Sequence, residues 1–259
     1  MTATVHDTAV VGSRARIGEN VEIGPYCVIG DDVSIGANCR LDSHVVLSGH
    51  TEIGPGCRFW PFSSIGGDPQ DLKFKGESTR LVIGKNNRFR ESNTIHIGTA
   101  GGGGVTRIGD DNFFMATVHV GHDCQIGNGV IMANGATLAG HVTVMDGATI
   151  GAFSGVHQFC RVGRRAYIGG FSVVTQDALP YVLSVGNRAE GHGINVIGLQ
   201  RLGIPESSLR ALRGAYRMIF RSKTSRTEAL EHAAAEWGDI PEVAEMITFM
   251  RESTRGVVG

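Results

Sequence analysis

Five of the ten histidines in this 259-residue chain fall on outward or corner phases of its repeat: His96, His119, His122, His141 and His157. If one turn of the chain takes 18 residues, as that repeat requires, His122, Gly140 and Gln158 lie one above another. By the same spacing Asp123 lies beneath His141. These five residues then form one compact surface patch. A neutral imidazole takes a proton from a hydroxyl near neutral pH. A carboxylate beside it orients the ring and stabilises the imidazolium. A backbone N–H at Gly140 can donate to the oxyanion of a tetrahedral intermediate, and glycine permits close approach. The patch suits acyl transfer by direct attack of a hydroxyl, with no Ser or Cys nucleophile, no metal and no cofactor.

Two other readings compete. His119, His122 and His141 are candidates for a three-histidine zinc site, although the 19-residue step from His122 to His141 is one off the stacking period. Alternatively, the patch is incidental and the repeat serves as a binding or structural module.

The elements that must position the patch follow from one pattern. Apolar residues recur every six positions from Val5 to Ile65, resume at Ile83, Phe89 and Ile95, and run again from Ile108 to Val174. Neither a helix nor a lone strand sustains a period of six. Short strands joined by turns do: each hexad forms one flat side, and three sides form a triangular coil. Four residues after each register position the side chain is usually small, and all five cysteines fall in this inward column. They read as packed thiols, not as a disulfide framework.

Two excursions leave the repeat. One carries Gly66 to Lys73 and keeps the phase; the other includes Gly101 to Gly104 and reads as a slack hairpin loop. After Val174 the hexads stop. Residues 176–203 read as extended chain with turns. Helices are then expected from Pro205 through Phe220, over Thr227 to Glu236, and from Pro241 to about Arg251. The domains divide as 1–187 for the solenoid and 188–259 for a helical tail that covers its open end. A net charge of −1 gives no reason to expect nucleic acid as a partner. No apolar run approaches the ~20 residues of a membrane span. Hexads beginning at Val5 leave no space for a signal peptide, so a cytoplasmic location is expected.

The segments 118–124, 139–141 and 156–159 resemble signature segments of the UDP-N-acetylglucosamine O-acyltransferase family. Asp71-Leu72-Lys73, Arg90-Glu91-Ser92, Gly186-Asn187, Gly193-Ile194-Asn195 and Ser253-Thr254-Arg255-Gly256 match as well, in order along the whole chain. The resemblance implies a left-handed parallel β-helix and a homotrimer with active sites between subunits. It implies transfer of an (R)-3-hydroxyacyl group from acyl carrier protein to the glucosamine 3-hydroxyl of a UDP-sugar, the first committed step of lipid A synthesis. It makes His122 the general base, Asp123 its partner and Gly140 the oxyanion donor. It places Asp71, Lys73, His96, His119, His141, His157 and Gln158 around sugar and acyl chain, and Asn195 and Arg201 at the nucleotide. Gly170 matches a position that helps set acyl length, and glycine there favours longer chains.

Ile197 and Leu202 depart from the acidic and basic residues common in the family at those places. That admits a 3-amino sugar nucleotide as an alternative acceptor. The later N-acyltransferase of the same pathway typically carries an extra domain before its hexads. A γ-type carbonic anhydrase is the metal-dependent alternative. Arg161, Arg164 and Arg165 are expected to form a basic face that docks the acidic carrier.

Overall fold

The structure is a computed structural model that describes residues 2–259. Short strands wind into three sheets of eleven, nine and eight strands, parallel except for the last strand of the eleven, which form the sides of a triangular prism. It is a left-handed parallel β-helix followed by four helices. Successive coils pair in the expected register: Thr137 with Gly155 on the second side, Thr143 with Arg161 on the third, Thr149 with Tyr167 on the first. Both excursions are looped out without breaking the ladder, since Arg58 pairs with Arg88 and Arg88 with Phe113.

The inward columns fill the prism. Phe59, Phe89 and Phe114 stack at 4.8 Å centroid spacing with nearly parallel rings, each pair adding ~0.5–1.5 kcal/mol beyond its burial. The five cysteines are buried. In the first coil Val5 remains 43% exposed because no described coil packs beneath it.

The hairpin of Val182–Val185 and Glu190–Ile194 extends the first sheet with the fold's antiparallel pair. Residues 176–203 are therefore not simply extended chain. They also contain helix α1, Val196–Arg201, whose N-cap Asn195 accepts from the Gly198 N–H. Six residues are too few to show an apolar period, and only the cap marks the helix. The other three helices follow the sequence: α2 is Glu206–Arg221, α3 Arg226–Trp237 and α4 Pro241–Arg251. α2 buries Leu209, Leu212, Tyr216 and Ile219 on one face. A capping box of Ser225 and Glu228 starts α3, and Pro241 starts α4.

The tail closes the end of the prism with charged anchors, which takes Arg161 and Arg164, though not Arg165, out of the expected basic face. Arg161 donates from Nε to Asp177 (2.9 Å) and from Nη2 to the Phe249 carbonyl (2.8 Å), and its guanidinium lies over the Phe249 ring. Arg164 bridges Asp146 (2.8 Å) and Glu245 (2.9 Å), and Glu245 also accepts from Tyr181. Hexad phase places these arginines on the surface of the solenoid but says nothing of the helices that come to cover it.

Candidate active site

The corner between the second and third sides carries the reactive groups. Asp123, His141 and Phe159 occupy it in successive coils, all in left-handed backbone (φ 60°, 62° and 64°). That conformation costs ~1–2 kcal/mol for each non-glycine residue, and the ladder bonds from His141 N–H to the His122 carbonyl (2.9 Å) and from Phe159 N–H to the Gly140 carbonyl (3.3 Å) hold it.

His122 and Asp123 meet as the spacing requires. His122 Nδ1 lies 2.8 Å from Asp123 Oδ2. A carboxylate only accepts, so Nδ1 carries the proton and Nε2 keeps its lone pair. The Asp123 side chain is wholly buried, and His141 Nε2 stands 3.8 Å from its Oδ2. The His122 and His141 rings meet edge to face at 5.0 Å, and His141 stacks on Phe159 at 4.4 Å. Gly140 packs against the His122 ring. Its N–H has no protein acceptor among the described residues.

His96 and His119 form a second pair at 4.9 Å, with Thr94 Oγ1 2.8 Å from His119 Nδ1. His96, expected on an outward phase, is only 8% exposed. The strand Ser64–Gly67 bulges opposite it, and Gly67 packs beside the ring. Its Nδ1 is buried without a partner. Burial, reinforced by the neighbouring His119 and His122, pushes the His96 pKa down to about 4. Burial also lowers His119 and His141, the latter against the pull of the Asp123 carboxylate. These three imidazoles are neutral at pH 7 and offer hydrogen bonds, not charge. Cys124, next in sequence, is raised to about 12 by burial and is no nucleophile.

The ligand atoms of His122, Asp123 and His141 lie within 4.8 Å of one another, and His119 is not in that set. The three-histidine zinc site is therefore not the one the fold assembles. In the set that does form, both Asp123 oxygens already accept short hydrogen bonds, two of them from Thr99.

That contact revises the glycine-rich excursion. Thr99 caps a 3-10 turn at Ala100–Gly102, which packs directly on Asp123. Nothing in the hexad pattern marks Thr99 or Phe159, because both contacts arise from how excursions and corners fold back. Asp71 lies on the first excursion, where its side chain accepts from the Lys73 N–H (2.9 Å), and its charge reaches His141. His157 and Gln158 are exposed in the coil above, and Arg255 reaches His157 Nδ1 at 3.3 Å.

Other predicted residues stand apart from His122. Gly170 is exposed at the corner between the first and second sides, beside the stacked rings of Phe153 and Phe171. Asn195, the N-cap of α1, and Arg201 at its end line a 690 Å³ cavity with Ile131, Thr149 and Tyr167 of the first side. Leu202 lines it too, and both Leu202 and Ile197 are exposed.

Residues 177–258 match the second domain of the Udp N-acetylglucosamine O-acyltransferase family, and residues 32–67, 105–140 and 141–176 match the bacterial transferase hexapeptide repeat. A relative from Paraburkholderia phymatum, named acyl-[acyl-carrier-protein]--UDP-N-acetylglucosamine O-acyltransferase, is 49% identical over 98% of both chains. The chain belongs to the UDP-N-acetylglucosamine O-acyltransferase family. Solved structures of the family agree along the whole fold. LpxA from Acinetobacter baumannii superposes with a TM-score of 0.95 at 41% identity, over 98% of this chain and 99% of that one. LpxA from Bacteroides fragilis, a UDP-N-acetylglucosamine acyltransferase, gives 0.96 at 39%, over 99% and 100%.

Proposed function

We propose that this chain transfers a 3-hydroxyacyl group from acyl carrier protein to the glucosamine 3-hydroxyl of UDP-N-acetylglucosamine, as a cytoplasmic homotrimer that opens lipid A synthesis. The observation that carries the chemistry is the His122–Asp123 pair beside Gly140. Nε2 of His122 removes the hydroxyl proton as the oxygen attacks the thioester carbonyl. The Gly140 N–H donates to the resulting oxyanion. Collapse breaks the C–S bond, and the imidazolium returns its proton to the departing thiolate. No electron is gained or lost, so the step needs no redox cofactor. Neutral His96, His119 and His141 hydrogen-bond the sugar and acyl hydroxyls without competing for the proton.

The geometry supports an oligomeric reading. His122, Gly170 and the Asn195–Arg201 cavity belong to different corners and sides of one prism, so one chain does not gather them. In the proposed homotrimer a neighbouring subunit sets one corner against another and completes the site. No helix among the described residues is long and apolar enough to cross a membrane, and the soluble carrier and sugar nucleotide agree with a cytoplasmic location. For the acidic carrier, α2 offers Arg213, Arg217 and Arg221 at four-residue spacing along an open 420 Å³ cavity. Arg217 and Arg221 have no carboxylate partner among the described residues, in contrast with Arg161 and Arg164.

A panel of acyl carrier protein thioesters of several lengths, each against the 3-hydroxy and 3-amino sugar nucleotides, tests the reading. Turnover with the 3-hydroxy acceptor supports it, and turnover only with the 3-amino acceptor replaces it. Mixing His122→Ala subunits with Asn195→Ala/Arg201→Ala subunits tests the shared site. Activity regained on co-refolding is expected, and its absence removes the inter-subunit arrangement.

A further inference from the structure

We propose that Thr99 is a positioning residue that acts through Asp123 to fix the His122 imidazole. The inference rests on His122 serving as the base. Asp123 is buried with no solvent to satisfy its charge, so protein donors must do so. Thr99 supplies two of them. Its backbone N–H donates to Oδ1 at 2.9 Å and its hydroxyl to Oδ2 at 2.6 Å, while His122 Nδ1–H reaches Oδ2 at 2.8 Å. The carboxylate is thus clamped from one side by a single residue, and its free direction points to the imidazole. Hydrogen bonds to an ionised group are the strong ones. They hold both carboxylate oxygens in place as acceptors, and that fixes the His122 tautomer with Nε2 free.

The loop is built to hold this clamp. The Thr99 hydroxyl accepts from the Gly102 N–H (3.2 Å) while it donates to Asp123, so its proton has one direction available. The Thr99 carbonyl accepts from Gly102 and Gly104 N–H groups (3.1 and 2.8 Å). The Gly98 carbonyl accepts from Thr79 Oγ1 (2.5 Å), which ties the loop to the end of the first excursion. From below, the Asp123 N–H donates to Thr106 Oγ1 at 2.8 Å. A Cβ on Gly102 would overlap the Asp123 carboxylate, so a bare backbone is required where the turn covers it. The four glycines at 101–104 therefore include one whose lack of a side chain serves the reacting pair.

Thr99→Val, Thr99→Ser and Gly102→Ala, compared with wild type and His122→Ala, test this. Valine keeps the shape and the backbone donor but removes the hydroxyl. A lost charge-assisted hydrogen bond corresponds to a ~10–100-fold fall in kcat, with KM for both substrates unchanged. Serine restores the hydroxyl and should return kcat to near wild type. Gly102→Ala should reproduce the valine signature by lifting the turn, and it carries the test if Thr99→Val does not fold. A wild-type kcat in Thr99→Val or Gly102→Ala, a KM that rises as kcat falls, or equal losses in the serine and valine variants, would overturn the proposal. An inactive wild type would instead remove the assigned reaction, so the two failures are distinguishable.

Discussion

The Cα of Gly140 faces the His122 imidazole so closely that a Cβ there would lie 2.6 Å from Cε1 and 2.7 Å from Nε2. Glycine at this position therefore leaves space for the imidazole proposed as base as well as an N–H for the proposed oxyanion contact. Gly140→Ala should displace the ring and lower kcat by ~10²-fold or more, with a circular dichroism spectrum like that of wild type. His122→Ala should lower kcat by ~10²–10⁴-fold without loss of fold. Near-normal turnover in His122→Ala would assign the base elsewhere.

His96 links the site to acid stability. Its pKa in the fold is about 4, below the ordinary value of 6.5, because burial disfavours the charged ring. The unfolded chain therefore binds more protons than the folded one between these values, and stability falls as pH falls from 6.5 toward 4. His96→Asn should flatten this slope while leaving the wild-type trend above pH 7. Denaturant melts at several pH values read it directly. An unchanged slope would mean that His96 does not titrate with folding.

The two sets of arginines should separate stability from donor binding. Arg164→Glu places a third acid beside Asp146 and Glu245. It should lower Tm by several degrees, and any kinetic loss should track unfolding. Arg217→Glu with Arg221→Glu should leave Tm close to wild type, raise KM for the acyl carrier protein donor and leave KM for the sugar nucleotide alone. The donor effect should shrink with added salt, as encounter with an acidic partner is screened. A donor KM unmoved at low salt would remove α2 from the docking surface.

Gly170 leaves narrow room for a side chain: an added Cβ would lie 3.3 Å from the Ala152 carbonyl, which must give by a few tenths of an ångström, and its φ is accessible to other residues. Beside it the exposed rings of Phe153 and Phe171 offer an apolar wall. Gly170→Met should shift the preferred donor to a shorter chain, since each methylene excluded from such a groove forfeits ~0.8 kcal/mol. Comparing kcat/KM across donor lengths decides it, and identical profiles would place the end of the groove elsewhere.

The order of residues by itself determined whatever obeys a period. The hexads specify the triangular coils because every sixth side chain must face one narrow interior, where a single misplaced polar group would lack a partner. That rule also stacked Gly140 on His122 and set Asp123 under His141. The apolar face of α2 and the start of α4 at Pro241 were legible for the same local reasons. What the period does not carry, only the tertiary structure decided. Thr99 reaches Asp123 because an excursion of irregular length folds back over the corner, and His96 is buried by a bulge in the coil beneath. Arg161 and Arg164 became anchors because helices distant in sequence descend on them. Each of these contacts joins a periodic element to an aperiodic one. Their distances depend on loop closure and on tail packing, neither of which leaves a fixed spacing along the chain.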